Sequence, residues 1–202
     1  MIRLLSSLLV LFSFSMLTLA NEGEASYQTC SACHGPAAEG NEALASPQLA
    51  GQSYACLKEQ IINFRNGYRG NAGDDIHGQV MMASAQGLTD EAIEALSTYL
   101  SKLPSHAYAS TTDGDALKGS VFYKENCSDC HGGRAQGIAT LFAPNLTVIQ
   151  DWYIRAQTRA YQSGWRGHSQ STTRAKHMRS MAGVFSTEQE LEDVISWLDT
   201  LN

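Results

Sequence analysis

The chain is poor in several things, and each shortage excludes something. Its 202 residues include 20 acidic and only 14 Lys and Arg residues, for a formal net charge of −6, so it lacks the basic surface that nucleic acid requires. Five cysteines are too few to staple a chain of this size as a disulfide scaffold. Beyond residue 20 no apolar run is long enough to cross a bilayer. Strand-like alternation is nearly absent. What is left is 43% hydrophobic and 17% charged, which is ordinary for a soluble globular protein and excludes collagen-like, disordered and multi-span membrane classes.

Residues 1–20 read as a secretory signal. Arg3 supplies the positive start, Leu4 to Leu19 is apolar and serine-rich, and Thr18-Leu19-Ala20 offers small residues at both cleavage positions. Cleavage after Ala20 is expected to leave 182 of the 202 residues. A retained membrane anchor is the alternative, but four serines at 6, 7, 13 and 15 interrupt a short run. Export places the mature protein in an oxidising compartment, and the periplasm is the expected location.

The rest of the chain is written twice. Cys30-Ser31-Ala32-Cys33-His34 recurs as Cys127-Ser128-Asp129-Cys130-His131, an offset of 97. The same offset carries Gly40 to Gly137, Pro47 to Pro144, Met81 to Met178 and Gly67-Tyr68-Arg69-Gly70 to Gly164-Trp165-Arg166-Gly167. One inserted residue then matches Tyr99-Leu100 to Trp197-Leu198. So many unrelated residue types at one offset define two tandem domains. Residues 21–103 form the first, 104–113 a polar aperiodic linker, and 114–202 the second. Domains this small bury little core and usually need a cofactor or a staple.

Each unit is expected to be helical. Ala116 to Cys127 runs as a helix into the second cysteine motif, and Tyr54 to Asn66 and Trp152 to Ser163 have apolar residues at helical spacing, ended by Gly67 and Gly164. Thr89-Asp90-Glu91 and Ser186-Thr187-Glu188 open the final helices as N-caps with acidic first turns. Loops are expected between these segments. The helix before the first cysteine motif has little room if the mature chain starts at Asn21, and nothing at the offset of 97 matches Gly119 and Phe122.

C-x-x-C-H is the attachment signature of a covalent haem. Two thiols must reach the two vinyl groups of one porphyrin, and the adjacent histidine must reach the iron. A zinc site would need two further ligands per pair, and a thioredoxin-like pair would need a βαβ context. Cys30, Cys33, Cys127 and Cys130 are therefore the expected attachment points, with His34 and His131 as iron ligands. Met81 and Met178 each lie 47 residues after their histidine, and seven before Leu88 and Phe185. That shared register selects them as sixth ligands over Met82 and Met181, and over His77 and His177, whose counterparts are not histidine. No catalytic residue is expected.

Several further residues carry two readings. A carbonyl at Pro47 or Pro144, each 13 residues after its histidine, can accept the other ring N–H, or the proline can simply shape a loop. Arg69 and Arg166 can pair with haem propionates or lie solvated on the surface. Tyr68, Trp165, Tyr99 and Trp197 read as core aromatics. Cys56 has no cysteine partner in the repeat and reads as a buried free thiol.

On these residues the chain resembles the class I c-type cytochromes, and in its tandem arrangement the dihaem cytochrome c4 family. The likeness covers nearly all of the mature chain. It implies an all-α fold of two tandem class I cytochrome c domains, each wrapped round one covalent haem with His/Met ligation, and the haems facing each other across the domain contact. It also implies a periplasmic electron carrier loosely associated with the inner membrane, taking electrons from a quinol-oxidising bc complex and passing them to a terminal oxidase. The family's proline carbonyl matches Pro47 and Pro144.

Iron with both axial positions filled has no open site for substrate, which favours one-electron transfer over catalysis. The alternatives are the electron-accepting subunit of a periplasmic dehydrogenase, and a gas-binding or peroxide-reducing haem protein. Nothing in the sequence calls for a homo-oligomer. Residues 21–107 hold ten acidic and four Lys/Arg residues, whereas residues 108–202 hold ten and nine. Arg155, Arg159, Arg166, Arg174, Lys176 and Arg179 suggest that the second unit docks an acidic partner.

Overall fold

The computed structural model describes residues 22–202; the expected leader over residues 1–20 lies outside the described residues. The first half contains α1 (22–34), α2 (Tyr54–Arg65), α3 (Ile76–Ala85) and α4 (Asp90–Leu100). The second contains α5 (Ala116–Asn126), α6 (Ser128–His131), α7 (Asp151–Gln162), α8 (Thr173–Ala182) and α9 (Glu188–Asp199). A short 3₁₀ turn, Glu42–Leu44 or Ala139–Leu141, follows each cysteine motif. Among the described residues there is no strand, only two isolated bridges, Asn41 with Ser46 and Ile138 with Ala143. The fold is all-α.

Local chemistry sets the helix limits. The Ser53, Thr89 and Thr187 hydroxyls accept from the backbone N–H groups of Cys56, Ala92 and Glu190, satisfying donors that a helix start leaves free. Glu190 answers Thr187 in a capping box. Gly67 and Gly164 follow α2 and α7 at φ of 70° and 78°, a region where other residues are strained.

In the second half, α5 crosses α9 at Gly119, where a Cβ would come within 1.9 Å of the Asp193 carbonyl oxygen. Only glycine permits that approach. Tyr123 then packs on Trp197 with ring centroids 4.4 Å apart, and Phe122 stacks on Phe185 at 4.9 Å. These join Val194 and Leu198 in the second core.

The first half does the same with fewer residues, which corrects the expectation of a missing packing partner. Helix α1 is present, and Gly23 lies against α4, where a Cβ would come within 2.3 Å of the Ala95 carbonyl oxygen. Tyr27 takes the place of Tyr123: its hydroxyl donates to the Gly35 carbonyl, as that of Tyr123 does to Gly132. The offset here is 96, not 97, because α1 runs unbroken into the cysteine motif while Cys127 interrupts the second approach with φ of −123°. At the new offset Phe122 faces Ser26, so the stacked phenylalanine pair has no counterpart.

Two helices were expected to be loops. Helix α3 (IHGQVMMASA) is apolar on nearly every side and α8 (TRAKHMRSMA) polar on nearly every side, so neither shows the one-sided stripe that marks a helix in sequence. Tyr68 is a second correction: it is 39% exposed and not a core aromatic.

Residues 104–115 connect the halves in contact with both. The His106 N–H donates to Gln48 Oε1 at 2.8 Å, and His106 Nε2 donates to the Ala37 carbonyl at 3.2 Å. Further on, the Thr111 N–H and hydroxyl both donate to Asp151 Oδ2, at 2.8 and 2.9 Å. Asp151 pairs with Arg155, which in turn pairs with Glu192, and the Thr112 hydroxyl donates to Glu192 at 3.1 Å. The Asp115 N–H finishes the strap on Asp193 Oδ1 at 2.7 Å.

Candidate functional site

Each cysteine motif ends in a buried histidine. His34 is 4% exposed and His131 8%. The His34 Nδ1 donates to the Pro47 carbonyl at 2.8 Å, and the His131 Nδ1 to the Pro144 carbonyl at 3.2 Å. A carbonyl accepts only, so Nδ1 carries the ring proton and Nε2 presents its lone pair. Burial pushes both imidazoles below their ordinary pKa, keeping them neutral as ligands must be. The Nε2 of His34 is buried with no protein partner, a cost that a bound metal would relieve.

The loop between histidine and proline is built alike in both halves. The Gly40 N–H donates to the His34 carbonyl at 2.8 Å, and the Gly137 N–H to the His131 carbonyl at 2.8 Å. Ala38 and Ala135 are fully buried in left-handed conformation at φ of 60° and 57°, and their carbonyls accept from Leu49 and Leu146. Left-handed alanine is uncommon, and its repetition shows that the turn is dictated by the site.

Beside each histidine, Cys30 and Cys127 are half-buried and Cys33 and Cys130 exposed; all four are free of disulfides. Burial raises the Cys30 thiol and pushes the Cys127 thiol up to about 11. A pair of free thiols next to a neutral histidine with a free Nε2 is the donor set a covalent haem needs, so the residues fit the group.

Met81 lies in α3 and Met178 in α8, both partly buried. Met82 is committed elsewhere: a Cβ at Gly70 would lie 3.1 Å from its Cβ, and one at Gly67 would lie 3.9 Å from its Sδ. Arg179, 97 residues on, packs the same way over Gly164 and Gly167. His77 and His177 are both exposed.

Arg69 and Arg166 are not solvated surface residues. They meet between the halves in a nearly two-fold cluster. Arg69 donates to Gln60 Oε1 at 2.8 Å in its own half, and across to Gln157 Oε1 at 2.9 Å and the Tyr153 hydroxyl at 2.6 Å. Arg166 donates to Gln157 at 2.7 Å and across to Gln60 at 3.0 Å. The guanidiniums lie over Phe64 and Tyr161, 4.2 and 4.3 Å from the ring centroids. Among the described residues neither arginine is ion-paired. Burial, and then the Arg69 charge, push the Arg166 guanidinium below its ordinary pKa. Cys56 is buried nearby as a free thiol pushed up to about 11 by burial.

The basic group expected in the second half is mostly spent internally. Arg155 pairs with Asp151 and Glu192, Arg159 with Glu188 and Arg174 with Glu59 across the domain contact. Lys176 and Arg179 remain on the exposed side of α8.

Sequence reading missed the glutamines. Gln48, Gln52 and Gln150 are all buried between the halves. Gln52 and Gln150 stand 98 residues apart, so the repeat does not pair them.

The chain belongs to the cytochrome c family, whose profile matches residues 20–104 and again 116–202. It is a dihaem electron carrier with two covalent haem c groups, one for each C-x-x-C-H motif. Its relatives include a thiosulfate dehydrogenase electron acceptor of Thiomonas intermedia, 32% identical over 180 residues that cover 84% of this chain and 77% of the relative. Cytochrome c4 of Azotobacter vinelandii is 38% identical over 74 residues, 37% of this chain and 34% of that one. The structure of reduced cytochrome c4 from Pseudomonas stutzeri superimposes with a TM-score of 0.68 at 22% identity, covering 91% of this chain and 98% of that one.

Proposed function

We propose that the protein is exported to the periplasm and carries single electrons there between respiratory components, from a quinol-oxidising bc complex to a terminal oxidase, without being an enzyme itself. In this reading Cys30, Cys33, Cys127 and Cys130 hold the two haems, and His34 with Met81 and His131 with Met178 ligate the irons. Haem iron held by His and Met supplies reversible one-electron chemistry at raised potential. The buried histidines, fixed at Nδ1 by Pro47 and Pro144, keep ligand geometry constant between redox states. In the same reading Arg69 and Arg166, which have no carboxylate partner at the domain contact, balance haem propionates there. The observation that carries the reading is the repetition of the histidine–proline bond in both halves, each with a methionine 47 residues on.

A second reading is favoured by one observation: relatives matched over most of their length are electron acceptors of thiosulfate dehydrogenase. In that reading the donor is a periplasmic dehydrogenase oxidising a sulfur compound. Oxidised and reduced spectra with and without carbon monoxide test the site; two haems and no carbon monoxide shift are expected, and a shift would mean an open iron. Stopped-flow reduction by a thiosulfate dehydrogenase with thiosulfate, against reduction by a bc complex with quinol, then separates the two donors.

A further inference from the structure

The peptide groups that hold the two histidines are completed by the opposite half of the molecule. The Pro47–Gln48 peptide accepts from His34 at its carbonyl, and its N–H donates to Gln150 Oε1 at 3.0 Å. Gln150 opens α7 in the second half. The relation then runs the other way. The Pro144–Asn145 peptide accepts from His131 at its carbonyl, and its N–H donates to Gln52 Oε1 at 3.0 Å. Gln52 belongs to the first half.

Each glutamine also uses its NH₂ end. Gln150 Nε2 donates to the Glu39 carbonyl at 2.9 Å, and Gln52 Nε2 to the Asn145 carbonyl at 2.6 Å. Both amides are thus locked in orientation. Gly40 and Gly137 keep the approach clear: a Cβ at Gly40 would lie 2.5 Å from the Gln48 nitrogen and 2.7 Å from Gln150 Nε2, and one at Gly137 would lie 2.7 Å from the Asn145 nitrogen.

A peptide whose N–H is hydrogen-bonded becomes a stronger acceptor at its carbonyl, because polarisation passes through the group and is little screened when buried. A stronger acceptor at Nδ1–H raises the basicity of Nε2 and fixes the ring. We propose that Gln150 is a positioning residue for His34 and Gln52 for His131, so that each half tunes the axial histidine of the other. This rests on the reading of both histidines as iron ligands.

The test uses the two-haem protein with Gln52→Met and Gln150→Met, which keep length and remove both hydrogen bonds. Gln52→Asn and Gln150→Asn stand in if a buried methionine prevents folding. The potential of each haem is read by spectroelectrochemical titration and the ring N–H of each axial histidine by NMR of the oxidised protein. Haems are assigned through Met81→Ala and Met178→Ala. A weaker acceptor makes the histidine a poorer donor to ferric iron, so Gln52 variants are expected to raise the second-domain potential and move the His131 signal, leaving the first domain unchanged. Gln150 variants are expected to do the reverse. No shift at the opposite haem, or equal shifts at both, overturns the proposal. An unaltered protein without two His-ligated haems would sink the ligand reading itself; intact haems without the crossed shift sink only this inference.

Discussion

The pair Lys58–Glu94 in the first half and the pair Arg155–Glu192 in the second occupy matching places between corresponding helices. The first pair is bonded at 2.6 Å with side chains 36% and 42% exposed. The second is bonded at 2.5 Å with 16% and 18% exposed. Around the first stands the Tyr54 hydroxyl; around the second stand Asp151 and the strap residues Thr111 and Thr112. The connecting segment crosses one copy and not the other, so an inherited pairing is a surface ornament in one half and a clamp in the other. Burial, not the identity of the pair, sets its worth.

The largest expected effect tests where the halves are alike. Met81→Ala and Met178→Ala should each give carbon monoxide binding at one haem and leave the other unaffected, an all-or-none change in half the Soret amplitude. Equal silence from both variants would remove methionine from the ligand sets.

The next tests where they differ. Glu192→Gln leaves the half-buried Arg155 with Asp151 alone and should cost about 2 kcal/mol, while Glu94→Gln should cost less than about 1 kcal/mol; thermal melts of the two variants decide it. The pH dependence follows the same line. A hydrogen bond from Arg155 holds the Glu192 carboxyl below its usual pKa, and for Asp151 burial acts upward but bonds from Thr111 and Arg155 outweigh it. Depressed carboxyls stabilise above their unfolded values of about 4 and lose that contribution as pH falls through the folded values. Acid should therefore release the strap as Asp151 and Glu192 protonate, as faster amide exchange at Thr111 would show.

An effect of similar size is expected at one of the helix crossings. Gly119→Ala should cost about 3 kcal/mol and Gly23→Ala about 1 kcal/mol, since a Cβ at Gly119 would come closer to the facing carbonyl oxygen than one at Gly23. Equal losses in denaturant titrations would deny the difference. The smallest concerns steering. Lys176→Glu with Arg179→Glu should slow association with an acidic redox partner several-fold at low salt, and the difference should fade as salt is added. Helix α3 cannot steer this way: Gln79 and Met82 stand where α8 has Lys176 and Arg179, and its exposed face carries Ile76 and Val80, 67% and 56% exposed.

The repeat made much of this legible. The cysteine motifs, the histidine–proline spacing and helices α2, α4, α7 and α9 follow from residue types at fixed distances, because each depends on chemistry within a few turns of chain. Helices α3 and α8 were invisible for want of a one-sided stripe. Gly23 was hidden by a one-residue change of offset ahead of the motif. The meeting of Arg69 with Gln157 and of Gln52 with Asn145 is created by how two finished halves dock, and no local pattern in either half encodes it.

The strap has a kinetic meaning. It is fastened to the first half at His106 and to the second at Thr111, so only four residues, 107–110, run between the anchors. A loose tether would make exchange between the halves a matter of encounter, governed by effective concentration and sensitive to viscosity. Anchored at both ends, the halves hold one mutual orientation, and an electron passing between them makes a single hop across a fixed gap. Its rate should not change when the solvent is thickened with glycerol.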